Sequence, residues 1–197
     1  VHYTGRICDM AKISRIASEK SIFIVEDAAQ AFGANIHGAM AGSFGEVSAF
    51  SMNAMKGLNS YGEAGAVVTN SEVLESKLRS LTYAGTIDKE DCHYPSLNAR
   101  MDTIQAAMLL VSLEYLEAKI KRRQEIAYYY SDALYDVVTC PKEDDSFQVY
   151  YNYVIRTGKR DKLISYLNSR GVETKIHYPI LMPLHTAYRQ LYLDCDI

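Results

Sequence analysis

Between residues 8 and 20, apolar Met10, Ile13, Ile16 and Ala17 recur at helical spacing, which predicts an amphipathic helix. The pattern then changes to Ser21-Ile22-Phe23-Ile24-Val25, an apolar and β-branched run of strand length. A run without alternation suits a strand covered on both faces, as in a parallel sheet under helices. It stops at Glu26-Asp27, and open α/β sheets place their chemistry at the carboxyl ends of their strands. Two shorter strands are expected over residues 47–52 and 66–69, among glycines at 42, 45, 57, 62 and 65. A helix follows over 71–83, with Ser71 as its N-cap and Glu72 and Glu75 in its first turn. Residues 85–99, with Gly85, Pro95 and Asn98, read as an irregular loop.

A helical pattern occupies residues 101–134, too long for one ordinary globular helix, so a bend or break is expected near 115–120. After Cys140-Pro141 the order becomes strand (149–156), helix (160–169) and strand (172–176), until Pro179 and Pro183 interrupt it. The chain accordingly divides into residues 1–117, part of a large α/β domain, and 118–197, a linking helix with part of a small α+β domain.

Composition narrows the function classes. The chain has 197 residues, 48% hydrophobic and 23% charged, with a formal net charge of −3 and no basic run. Nothing in it suits a nucleic-acid or membrane-surface partner, and its apolar stretches fall short of the roughly 20 residues of a membrane span. Cys8, Cys92, Cys140 and Cys195 form no C-x-x-C pair or metal-ligand spacing, and are expected to be free thiols in a reducing cytoplasm. His2, His37 and His185 are read as structural. The chain starts Val1-His2-Tyr3 and ends Asp194-Cys195-Asp196-Ile197, and is expected to be a piece of a longer polypeptide.

Three features between positions 26 and 65 carry candidate chemistry. Glu26-Asp27-Ala28-Ala29-Gln30 sets carboxylates at a strand end, where a buried charge requires a cationic partner, although Asp27 equally suits an N-cap. Ser51-Met52-Asn53-Ala54-Met55-Lys56-Gly57 sets a lysine beyond a strand among small and apolar residues. A Schiff-base lysine works as a neutral amine in such surroundings, whereas an ordinary loop lysine faces water. Ser51 offers a hydroxyl to a phosphate. Gly62-Glu63-Ala64-Gly65 permits a tight turn and close backbone approach.

Taken together, the segments IVEDAAQAFGA, AGSFG, AFSMNAMKGL, YGEAGAVVTN, LNARMDTIQAAM and IHYPILMPLH resemble, in order and spacing, the DegT/DnrJ/EryC1/StrS family of sugar aminotransferases. The resemblance implies an α/β fold-type I aminotransferase, with a mainly parallel sheet flanked by helices. It further implies pyridoxal 5′-phosphate (PLP) held as a Schiff base by Lys56, with Asp27 pairing the pyridine nitrogen. Ala29 would pack flat on the ring, Gln30 would lie near the ring hydroxyl, and Ser51 would bind the phosphate. Asn98 would reach the cofactor phosphate of a neighbouring subunit in a cytoplasmic homodimer.

By the same resemblance, His177 and Tyr178 lie near the sugar-nucleotide site or form a packed turn. The implied reaction is transamination of a nucleotide-linked keto-sugar with glutamate as donor, since related dehydratases carry histidine where Lys56 stands. A cyclitol ketone as acceptor, or a non-catalytic PLP-binding regulatory protein, are the other readings. His93-Tyr94 either lines the same mouth or belongs to a surface loop, and Arg100 meets an anion or pairs with Asp102. Ala64 replaces a glycine of many relatives, which its methyl group tolerates if the backbone there is not left-handed. The family's N-terminal phosphate-binding segment and C-terminal end are absent from these residues, so the chain alone is expected to bind PLP weakly and turn over little.

Overall fold

Asp9 accepts a hydrogen bond from the Lys12 N–H and thereby caps α1, Met10–Lys20. The structure is a computed structural model describing residues 1–142, 144–176 and 178–191. The chain divides into two compact units, Val1–Ile155 and Arg156–Ile197. Cys8, Cys92 and Cys140 are free thiols; Cys195 lies outside the described residues. Among the described residues no helix is long and apolar enough to cross a membrane.

In the first unit α1 ends at Ser21, whose φ of 52° is left-handed and whose N–H reaches back to Ala17 and Ser18. Ile22 N–H also bonds Ala17. This cap draws Ser21 and Ile22 out of the expected strand, and β1 covers only Val25–Asp27. The expected burial on both faces is not found, for Phe23 is 79% and Val25 71% exposed. A hairpin that the sequence pattern missed follows, β2 (Asn35–Ile36) and β3 (Ala39–Met40), turned by His37 and Gly38 at φ 50° and 83°. Two successive positive φ values mark the type I′ connection that suits antiparallel strands.

Next come β4 (Val47–Ser51) and β5 (Gly65–Val68), close to their expected bounds. The central sheet has the order β1-β4-β5, with β1 and β4 parallel and β4 and β5 antiparallel. Its register sets Glu26 beside Ser48, Asp27 beside Ala49 and Ser51 beside Gly65. Ala64 stays out of the left-handed region, so its methyl group is accommodated. Ser71 caps α2, Glu72–Thr82, as its sequence indicates. Within the expected loop lies a small hairpin, β6 (Thr86–Ile87) with β7 (Asp91–Cys92). The long helical segment breaks at Tyr115 into α3, Thr103–Glu114, and α4, Leu116–Leu134. β8, Ser146–Phe147, joins β2 on the side away from β3.

The strand expected over 149–156 does not form, and a backbone account gives the reason. Val149 N–H bonds Gly5 and Asn152 N–H bonds Thr4. The carbonyls of Gln148, Tyr150 and Tyr151 accept from the side chains of Gln124 and Arg123 on α4. With side chains satisfying these groups, and Tyr150 at φ 45°, no extended ladder is available. In the second unit α5, Arg160–Ser169, matches its expected bounds. The strand expected over 172–176 is absent, and Val172 N–H instead closes the helix end on Leu167. A 3₁₀ turn, Met182–Leu184, and α6, Thr186–Leu191, complete the described residues.

One carboxylate organises the first unit. Glu26 is 3% exposed. Its oxygens accept from Gly42, Phe44 and Gly45 N–H at 2.9, 2.6 and 2.7 Å, from Ser48 Oγ at 2.9 Å and from His2 Nε2 at 2.9 Å. His2 Nδ1 accepts from Cys8 N–H, so the ring proton sits on Nε2 and points at the carboxylate. The cationic partner expected for an acid here is not needed: neutral donors satisfy it. Burial alone would raise the Glu26 carboxyl, but the donors from His2, Gly45, Gly42 and Ser48 outweigh it and hold the group below the usual carboxylate range.

Glu26→Ala leaves five donors, those of His2 and Ser48 buried, without their acceptor and is expected to cost about 3 kcal/mol in urea unfolding at neutral pH. Because its folded value is depressed, the carboxylate's contribution is present above the unfolded value near 4.5 and is lost as pH falls through the folded one. Glu26→Gln should therefore show a shallower acid limb of stability than the parent protein. Gly5 sits at φ 89°, and an added Cβ would meet Tyr151 N at 2.7 Å and Gln30 O at 3.2 Å. Gly5→Ala combines left-handed strain with overpacking, and calorimetry should show a loss of about 3 kcal/mol.

Candidate active site

The loop between β4 and β5 is built to hold Lys56 still. Met52 N–H bonds Ala64, Ala54 N–H bonds Gly62, Lys56 N–H bonds Asn53 and Ser60 N–H bonds Met52. Asn53 Oδ1 accepts from Met55 N–H, and buried Ser60 donates its hydroxyl to the Gly62 carbonyl. Met52 and Leu58 anchor the loop in the core, while Met55 turns to solvent. Lys56 is half-buried, with its Nζ 5.0 Å from the centroid of the Tyr151 ring.

Lys56 opens into a cavity of the first unit that also takes Ala29, Gln30 and Ser51 into its wall. Phe32, Leu58, Leu116, Ile120 and Val149 give it an apolar lining. Four chain segments thus converge: the turn after β1, the end of β4 with its loop, the start of α4 and the stretch 149–151. The turn after β1 fits tightly because Ala28, Ala31 and Ala34 are fully buried, with Ala31 N–H bonding Ala28 and Ala34 N–H bonding Ala31. Larger side chains at these three places would not pack.

Four of the candidate residues, Ala29, Gln30, Ser51 and Lys56, therefore share one cavity. Asp27 is not among its lining residues. It is exposed, and its Oδ1 accepts from Ala29 N–H at 3.1 Å, a local turn in place of the alternative N-cap. Asn98 is exposed, bridges to Tyr83 and accepts from Arg100 Nε at 2.9 Å. Arg100 lies over the Tyr83 ring at 4.3 Å and makes no ion pair with Asp102. His93 is exposed and pairs with Asp91 at 3.4 Å, and Lys77 lies over the Tyr94 ring. Tyr178 is exposed on the second unit, and His177 lies outside the described residues.

Sequence reasoning missed Lys119, Arg123 and Tyr151, which complete the polar part of the wall. Their spacing sets Lys119 and Arg123 one helical turn apart on a shared face, but nothing in the sequence says that the face is covered. Among the described residues no group of histidine, cysteine and carboxylate side chains could hold a metal ion.

Comparison with known proteins fits this arrangement. The DegT/DnrJ/EryC1/StrS aminotransferase family matches residues 1–196. A pleiotropic regulatory protein of Geobacillus stearothermophilus is 36% identical over 97% of this chain and 53% of its own length. The dTDP-3-amino-3,4,6-trideoxy-alpha-D-glucose transaminase of Streptomyces venezuelae is 37% identical over 95% of this chain and 50% of its own. The crystal structure of a DegT DnrJ EryC1 StrS aminotransferase from Brucella abortus superposes with a TM-score of 0.91 at 36% identity, covering 95% of this chain and 51% of that one. The chain spans about half the length of the curated relatives it matches. It belongs to the DegT/DnrJ/EryC1/StrS aminotransferase family, and its α/β fold is the fold-type I architecture of that family.

Proposed function

We propose that the protein is a pyridoxal 5′-phosphate-dependent aminotransferase acting on a keto-sugar attached to a nucleotide, with glutamate as amino donor. The observation that carries this reading is the convergence of Ala29, Gln30, Ser51 and Lys56 on one cavity in a chain of this family. The wall suits the cofactor chemically. Ser51 supplies a hydroxyl and Lys56 an amine to the same cavity, with the Lys56 Nζ resting against the Tyr151 ring.

When bound, the cofactor supplies an electron sink that stabilises negative charge at the carbon bearing the amino group. Lys56 Nζ would hold the cofactor through its amine and, once free, would take the proton from that carbon and return it elsewhere, general acid–base work by a positioned group. Ser51 would donate to the phosphate, Gln30 would lie by the ring hydroxyl, and Ala29 would pack flat against the ring. Asp27, at the end of β1 and steadied by Ala29 N–H, would keep the ring nitrogen protonated. Asn98, exposed on the surface, would reach the cofactor phosphate of a neighbouring copy in a homodimer.

The regulatory name of the Geobacillus relative favours a second reading, a protein that keeps the cofactor and does no turnover. Absorbance separates the two. The full-length protein should develop a visible band on adding pyridoxal 5′-phosphate, L-glutamate should discharge that band, and a nucleotide keto-sugar should restore it. Lys56→Ala should lose the band and slow any glutamate reaction at least about a hundredfold. A protein that takes no cofactor, or a variant as fast as its parent, ends the aminotransferase reading. A band that forms but ignores glutamate supports the regulator.

A further inference from the structure

α4 treats its charges in two ways. Arg122 pairs with Glu125 at 3.0 Å on the exposed side. Lys119 and Arg123, one turn apart and hence on one face, both line the cavity with Lys56, and no aspartate or glutamate lines it with them. Their hydrogen-bond partners among the described residues are uncharged. Lys119 Nζ donates to Asn59 Oδ1 and Ser112 Oγ, each at 3.2 Å. Arg123 Nη1 donates to the Tyr150 and Tyr151 carbonyls, also at 3.2 Å. Lys56 meets the Tyr151 ring.

Lys119 and Arg123 repel each other across one helical turn, and like charges at this spacing weaken a helix. A cavity lined by one sign of charge with apolar walls focuses its field on whatever enters. We infer that Lys119 and Arg123 form an anion subsite of this cavity, taking an oxyanion of the substrate, either a carboxylate of the amino donor or a phosphate of the nucleotide. The inference deepens the aminotransferase reading and rests on it for the identity of the substrate. The subsite is separate from Ser51, which that reading gives to the cofactor. Arg123, whose Nη1 is occupied by two carbonyls, holds the strap 150–151 against the cavity while adding its charge. Lys119, exposed and held only by neutral groups, is the freer donor.

Calorimetric titration of the purified protein with glutarate and with inorganic pyrophosphate tests this without turnover. The parent protein should bind at least one probe. Lys119→Gln should weaken that probe roughly fivefold, the scale of a partly exposed ion pair, and Lys119→Arg should restore it. Weakening of glutarate identifies the donor carboxylate, and weakening of pyrophosphate identifies the nucleotide. Binding of neither probe by the parent, or equal binding by parent and Lys119→Gln, overturns the subsite. Absorbance on adding pyridoxal 5′-phosphate is read in parallel: a protein that binds the probes through Lys119 but takes no cofactor fails the aminotransferase reading and keeps the anion subsite. Lys119→Gln that loses the cofactor band instead of the probes assigns Lys119 to the cofactor and overturns the inference.

Discussion

A single buried carboxylate, Glu26, fixes the geometry on which everything near the cavity depends. It gathers the chain start through His2, the 42–45 loop through three backbone N–H groups, and β4 through Ser48. An ionised acid in the interior is tolerable only when donors replace the water it lost. Here they replace it so completely that the carboxyl prefers its charged form. The result is that β1 and β4 are held in fixed register, with Asp27 and Ser51 as their last residues.

That arrangement explains what the sequence revealed and what it withheld. Helices were legible because their own residues signal them: Ser71 as a cap for α2, and apolar spacing along α1. Even the break at Tyr115 could be anticipated from length. The apolar run 21–25 misled because a left-handed Ser21 committed two of its residues to closing α1, a local competition invisible to hydrophobic patterning. The stretch 149–156 misled for a different reason. Its backbone partners are side chains from α4 and loop groups near the chain start, both far away in sequence.

For the candidate site the motif segments brought Ala29, Gln30, Ser51 and Lys56 to one cavity, while Asp27 and Asn98 stand outside its lining. Glu26 was visible as an acid, but its role as a hub of neutral donors was not, since three of those donors are backbone groups with no side-chain signature. The same limit hid Lys119 and Arg123. A basic residue on a helix normally reads as solvated surface, and only the fold reveals that this face of α4 closes the cavity.

The tip of the β2–β3 hairpin finally bears on where this chain can change in length. His37 and Gly38 are exposed, and a side chain built on Gly38 would meet nothing within 4 Å. A tip of this kind accepts inserted residues because no packed neighbour has to move and the ladder on either side keeps its pairing.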